Sequence, residues 1–147
     1  MAITTNAITN SFKEEILEGV HDFTPTSGDK FKLALYTSQA SIGADTTVYP
    51  GDSSGNQVSN TGQYAQGGGL VVNALVSTQG TVAFVDFNDL SFTGVTLTAR
   101  GALIYNTSNS NKSVCVLDFG GDKTATSGTF TIQFPNPNNT QAIIRIA

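Results

Sequence analysis

The run Thr129-Phe130-Thr131-Ile132-Gln133-Phe134 alternates polar and apolar residues without a break. Successive side chains of a β-strand point to opposite faces, so such a run buries Phe130, Ile132 and Phe134 while Thr129, Thr131 and Gln133 meet water. Phe31 to Thr37 repeats the pattern, with Phe31, Leu33 and Leu35 on one face. Further strands are expected at Leu70–Val76, Thr81–Phe87, Leu90–Thr98, Arg100–Tyr105, Ser113–Phe119 and Gln141–Ile146, separated by turn residues about every 8 to 12 positions. That spacing predicts a mainly β chain, an antiparallel β-sandwich or jelly-roll-like domain, and disfavours alternating strands and helices. Asn106–Lys112 (NTSNSNK) and Gly120–Gly128 (GGDKTATSG) read as hairpin tips.

One short N-terminal α-helix interrupts this pattern. Ser11 with Glu14 has capping-box spacing, Glu14 and Glu15 suit the positive end of a helix dipole, and Phe12, Ile16, Leu17 and Val20 recur on one face. The helix is expected over about Phe12–Val20, its apolar side on the sheet. Residues 1–9 (MAITTNAIT) carry no helical period and read as an extended N-terminal arm, and residues 10–147 as a single β-sandwich domain. Ser38–Gly69 is poor in apolar residues and reads as a long loop anchored by Ile42, Val48, Tyr49, Val58 and Tyr64. Loops of that length in compact domains are usually functional.

Composition narrows the function classes. Charged residues are 12% of the chain and hydrophobic residues 39%, nine of them Phe, so one self-sufficient core under a neutral polar surface is expected. The net charge is −4 and the seven basic residues are scattered, which disfavours direct binding to nucleic acid or an anionic membrane. Neither a basic, apolar leader pattern at the N-terminus nor a run of about 18 apolar residues is present, so a soluble, unexported protein is expected.

Candidate chemistry is thin. His21 precedes Asp22, but neighbouring residues rarely face one another, so a catalytic dyad is not expected. Asp86 and Asp118 interrupt apolar strands; two carboxylates across one cleft could serve acid and base roles, but outward-facing or Arg-paired carboxylates are the simpler expectation, with Arg100 and Arg145 as partners. Gly67, Gly68 and Gly69 lack the Lys and Ser/Thr of a phosphate-binding loop and read as a turn or close backbone approach. Asp52, Ser54 and Asn56 start like a calcium loop, but Gln57 and Gln63 stand where Gly and Glu are required. Asn106 and Asn111 lie in glycosylation sequons without a leader to direct them. Cys115, the sole cysteine, sits among Val114, Val116 and Leu117 and is expected to be a buried thiol. No cofactor, no metal and no enzymatic activity are expected.

The segments SFKEEILEGVHDF, DKFKLALYT, LSFTGVTLTARGALIYN, VCVLDFGGDKTATSGTFTIQFP and AIIRIA resemble a family of small virion proteins of tailed bacteriophages. The resemblance runs from about Ser11 to Ala147 and is least in Ser38–Gly69. It implies a capsid decoration (cement) protein on the outer surface of the head, made in the bacterial host cytoplasm. Its implied partners are the major capsid protein and further copies of itself. Head-fibre, neck or tail adaptor proteins share such folds and form the alternative; a carbohydrate-binding module, resting on Asp86 and Asp118, is a remote third. On the decoration reading the arm and the loop Ser38–Gly69 engage capsid subunits, with Ile3, Thr4, Thr5 and Ile8 as the expected contacts.

Overall fold

The computed structural model describes residues 3, 6–51 and 56–147. Among them run β1 (Ala7–Ile8), α1 (Asn10–Leu17), β2 (Phe31–Tyr36), β3 (Gly69–Val71), β4 (Asn73–Gln79), β5 (Val82–Phe87), β6 (Leu90–Asn106), β7 (Lys112–Ile132) and β8 (Ile144–Ile146). They form two antiparallel sheets, a five-stranded one in the order β1-β7-β6-β2-β3 and a three-stranded one in the order β4-β5-β8. The expected mainly β sandwich with one short helix is the observed architecture.

The largest departure is the hairpin β6–β7. Leu90–Thr98 and Arg100–Tyr105 are one strand of 17 residues, and Ser113–Phe119 and Thr129–Phe134 fall within or just beyond one strand of 21. Gly120–Gly128 is therefore not a hairpin tip. It pairs along Val95–Ala99, with cross-strand hydroxyl contacts Thr98–Thr124 and, further on, Ser91–Thr131, each 2.9 Å. Register shifts at Phe92/Val95, Val95/Leu97 and Ala99/Gly101 absorb the turn-forming residues as bulges, and Gly120 takes the left-handed φ of 77° that one such bend needs. The other tip is as expected: Thr107–Asn111 turns between the strands, with Ser110 and Asn111 at positive φ.

Leu70–Val76 also departs from expectation. The chain leaves the five-stranded sheet after Val71 and enters the other at Asn73, so one expected strand is two short ones at the edges of different sheets.

Helix α1 starts and stops two to three residues earlier than expected. Its N-cap is Thr9, whose hydroxyl faces the Ser113 and Val114 carbonyls rather than the helix, and Ser11 Oγ meets Ser113 Oγ, so the capping box does not form. Gly19 (φ 75°) ends it: Val20 N–H donates to the Glu15 carbonyl and Gly19 N–H to that of Ile16, the paired bonds of a Schellman motif. The face also differs. Phe12 and Glu15 are buried, whereas Leu17 is 89% exposed.

Two apolar clusters replace the single expected core. Between the sheets lie Phe12, Phe23, Phe31, Leu33, Leu35, Phe87, Phe130, Ile132 and Phe134, among others. On the opposite face of the five-stranded sheet Ile3, Ala34, Tyr36, Leu103, Tyr105 and Val116 are covered by Ala40, Ile42 and Tyr49 from the long loop. Strand β2 is thus buried on both faces. Within the loop, Gln57 Nε2 donates to Tyr49 Oη (2.8 Å), its Oε1 accepts from Gly67 N–H (2.6 Å), and Tyr49 stacks on Tyr105 with ring centres 4.3 Å apart. The expected anchors Ile42, Tyr49, Val58 and Tyr64 are buried; Val48 is exposed.

Candidate functional site

The cluster that most resembles a catalytic centre surrounds His21. Helix α1 presents Glu15 from its buried side, and Glu15 Oε2 lies 2.7 Å from His21 Nε2 while Oε1 lies 3.0 Å from Lys112 Nζ. On the other side of the ring, Asn106 Nδ2 is 3.0 Å from His21 Nδ1 and 2.7 Å from Asp29 Oδ2. Asn106 Oδ1 accepts from Ser108 N–H, which fixes the amide with its nitrogen toward the histidine. Nδ1 is then the acceptor, and Nε2 carries the proton that Glu15 receives.

Both ring nitrogens are committed to fixed partners, and the ring itself is packed against Phe12 at 5.0 Å. An imidazole in this state offers no lone pair to a substrate. Its hydrogen bonds join distant segments. Asp29 Oδ2 also accepts from Asp22 N–H and Asn109 Nδ2, and Asn109 Nδ2 reaches the Val20 carbonyl, so the network ties the connection 20–30 to the tip of the β6–β7 hairpin. Buried polar groups satisfied in this way specify one packing of the segments that they join.

Asp22 joins it only through its backbone N–H. Its carboxylate accepts from the hydroxyl and N–H of Thr24, and those bonds hold its carboxyl below the usual range. The sequence pointed to His21 but not to Glu15 or Asn106. The available signal was Glu15 itself, an acid three residues after Phe12 on the same helical stripe.

Asp86 lies on β5 and Asp118 on β7, in different sheets. Asp118 is 3.0 Å from Arg100 Nη2, as the simpler expectation had it. Arg145 instead donates to the Thr140 carbonyl. Burial raises the Asp86 carboxyl above its ordinary range, opposed by the Phe87 N–H and aided by the nearby Asp89 charge. Gly68 (φ 84°) lies so close to β2 that an added Cβ would overlap the Leu33 carbonyl, the close backbone approach expected of the triple glycine. Asp52 and Ser54 lie outside the described residues, and Asn56 donates to the Gln39 carbonyl. Among the described residues no group of three or more His, Cys, Asp or Glu side chains is placed to hold a metal ion, and no helix is long and apolar enough to cross a membrane. Asn106 is wholly buried.

Cys115 is buried, and burial pushes its thiol from an ordinary value of 9.0 up to about 12. Maleimide is therefore expected to label the native protein only at the rate at which it unfolds; rapid labelling at neutral pH would contradict that burial. The same shift has a pH consequence. At neutral pH both states keep the proton, and above about 9 the unfolded chain loses a proton that the folded chain retains, so the thiol lowers stability as pH rises toward 12.

The expected contact residues on the arm are placed differently from one another. Ile3 is 1% exposed and its side chain packs over Gly101, so it is not free to dock on another chain. Ile8 is half-buried in β1, where Ala7 and Ile8 pair with Val116 and Cys115. Asn6 Oδ1 accepts from Asp118 N–H. Of the expected arm, Ala7 and Ile8 form an edge strand of the chain's own sheet and Ile3 is packed in its core. Thr4 and Thr5 lie outside the described residues.

A second feature is an open apolar groove of about 540 Å³ beside the helix, between Ile16, Phe23 and Pro25 on one side and Val76, Ala83, Ile144 and Ile146 on the other. His21, Asp22 and Thr24 also line it, on the side of the connection that follows the helix. No protein-family profile, no curated protein and no solved structure matches the chain.

Proposed function

We propose that the chain is a structural protein of a tailed-bacteriophage virion, a capsid decoration protein that binds the major capsid protein on the outside of the head and stabilises the shell. The observation that carries this reading is the resemblance of residues 11–147 to that family. Its two longest strings correspond to the hairpin β6–β7, around which the larger sheet is built.

The geometry is compatible with such work. A decoration protein must fold before it docks and must present a fixed surface. Here the loop 38–69 is held on the sheet by Ala40, Ile42, Tyr49 and Gln57, leaving an outer face of neutral polar residues such as Ser38, Gln39, Ser41 and Thr47. A preorganised surface loses little conformational entropy on binding. With Ile3 committed to the core, the outer face of this loop is the better candidate for the capsid contact. The test is to add the purified chain to shells that lack it and to image them: regular density at every equivalent lattice position supports the proposal, and bare shells at saturating protein refute it.

A further inference from the structure

Strand β4 is an edge of the three-stranded sheet, paired with β5 on one side. Among the described residues no strand and no backbone hydrogen bond joins its seven residues on the other side. Such an edge normally carries a device against pairing with a foreign strand: a lysine, a proline, an inward charge or a pronounced bulge. Asn73–Gln79 (NALVSTQ) has no charge and no proline, and no charged residue occurs anywhere from Ser53 to Val85. Its one irregularity is at its start, between Asn73 and Leu75. Leu75 and Val76 are 39% and 48% exposed, on opposite faces of the strand.

We propose that two copies of the chain pair antiparallel through β4, Val76 opposite Val76, joining their three-stranded sheets into one continuous sheet. Val76 is the middle residue of the strand, so this register overlaps both strands completely. It sets Val76 against Val76 on one face and Leu75 against Ser77 on the other; beyond Leu75, where the bulge interrupts the alternation, Ala74 and Asn73 fall opposite Thr78 and Gln79. Each pair is uncharged. The nearest acid on the sheet, Asp86, is on β5, and its counterpart lies three strand spacings away, about 14 Å. That exceeds the Debye length of about 10 Å at 0.1 M salt, so the net charge of −4 on each copy does not oppose this contact strongly.

The apolar groove gives a second reason for a second copy. Val76 borders the groove, on the same sheet face as its cross-strand neighbours Val85 and Ile144. A two-fold axis at Val76 brings the open rims of both grooves together, so that apolar surface left bare by one copy is covered from the other. The pairing is closed and isologous, which stops at two copies. Dimerisation through β4 is independent of what the dimer binds.

Sedimentation velocity of the intact chain over rising concentration tests this. A contact of this size is below that of a standard stable interface, so the wild type is expected to pass from monomer to dimer at roughly tens to hundreds of micromolar. Val76→Lys is expected to remain monomeric over that range, with an unchanged circular dichroism spectrum and melting midpoint. Thr78→Lys, at an exposed position, is a second variant with the same expected result should the first disturb the groove. Mixing Val76→Lys with Val76→Glu is expected to restore a dimer that contains one of each. A wild type that stays monomeric throughout, a dimer indifferent to both lysine variants, or folded Lys and Glu variants that fail to associate would each overturn the proposal.

Discussion

Replacing Ile3 by alanine is expected to destabilise the isolated protein by about 2 to 5 kcal/mol, the cost of removing a fully buried aliphatic side chain from a packed site. Ile3 is sealed against Gly101 and shares a cluster with Tyr36, Tyr49, Leu103 and Val116. Its loss leaves a void between the five-stranded sheet and the long loop. Deleting residues 1–8 goes further, because it also removes the pairing of Ala7 and Ile8 with β7 and the Asn6 bond to Asp118. In a domain of this size each kcal/mol corresponds to about 3 °C in melting midpoint, so both changes are readily measured by scanning calorimetry. A deletion variant that melts with the wild type would return the N-terminal segment to the status of a free arm.

Phe31→Ala is expected to cost about 3 to 5 kcal/mol, read as a lower urea midpoint at unchanged slope. Phe31 is 0% exposed and stacks on Phe23 with ring centres 4.6 Å apart and planes 4° from parallel, while Phe87 lies 6.1 Å away. Phe23 belongs to the connection that follows the helix, and Phe87 to the other sheet. One ring therefore binds three parts of the molecule, and its removal loosens the seat of His21 as well. Phe31→Leu, which keeps much of the volume, is expected to lose less. An alanine variant as stable as the wild type would mean that the centre of the core lies elsewhere.

Strand alternation was legible where one face is buried and the other wet. Phe130, Ile132 and Phe134 point inward as their spacing requires, although Phe134 lies beyond the end of β7. Legibility failed where tertiary pairing overrides local preference. Gly120–Gly128 has turn composition, yet pairing along β6 holds it extended, and bulges absorb the residues that local preference would turn. The helix face failed for a different reason. Hydrophobicity points Leu17 inward, but the buried position is Glu15, because Lys112 and His21 supply the partners that make a buried carboxylate tolerable. Those partners are 97 residues and 6 residues away in sequence, beyond the reach of local spacing.

The isoleucines of the N-terminal segment show the same limit. An apolar residue in a polar stretch seeks burial, but periodicity does not say whether its own sheet or another protein supplies the pocket. For Ile3 the pocket is its own sheet, which moves the proposed capsid contact to the outer face of the loop 38–69.

Counting this chain in purified virions by quantitative mass spectrometry, against the major capsid protein, tests the proposed role most directly. Decoration of the lattice predicts on the order of hundreds of copies per particle, in a fixed ratio to capsid subunits. A count of about a dozen or fewer, as a neck or tail position would give, contradicts it, as does the absence of the chain from virions.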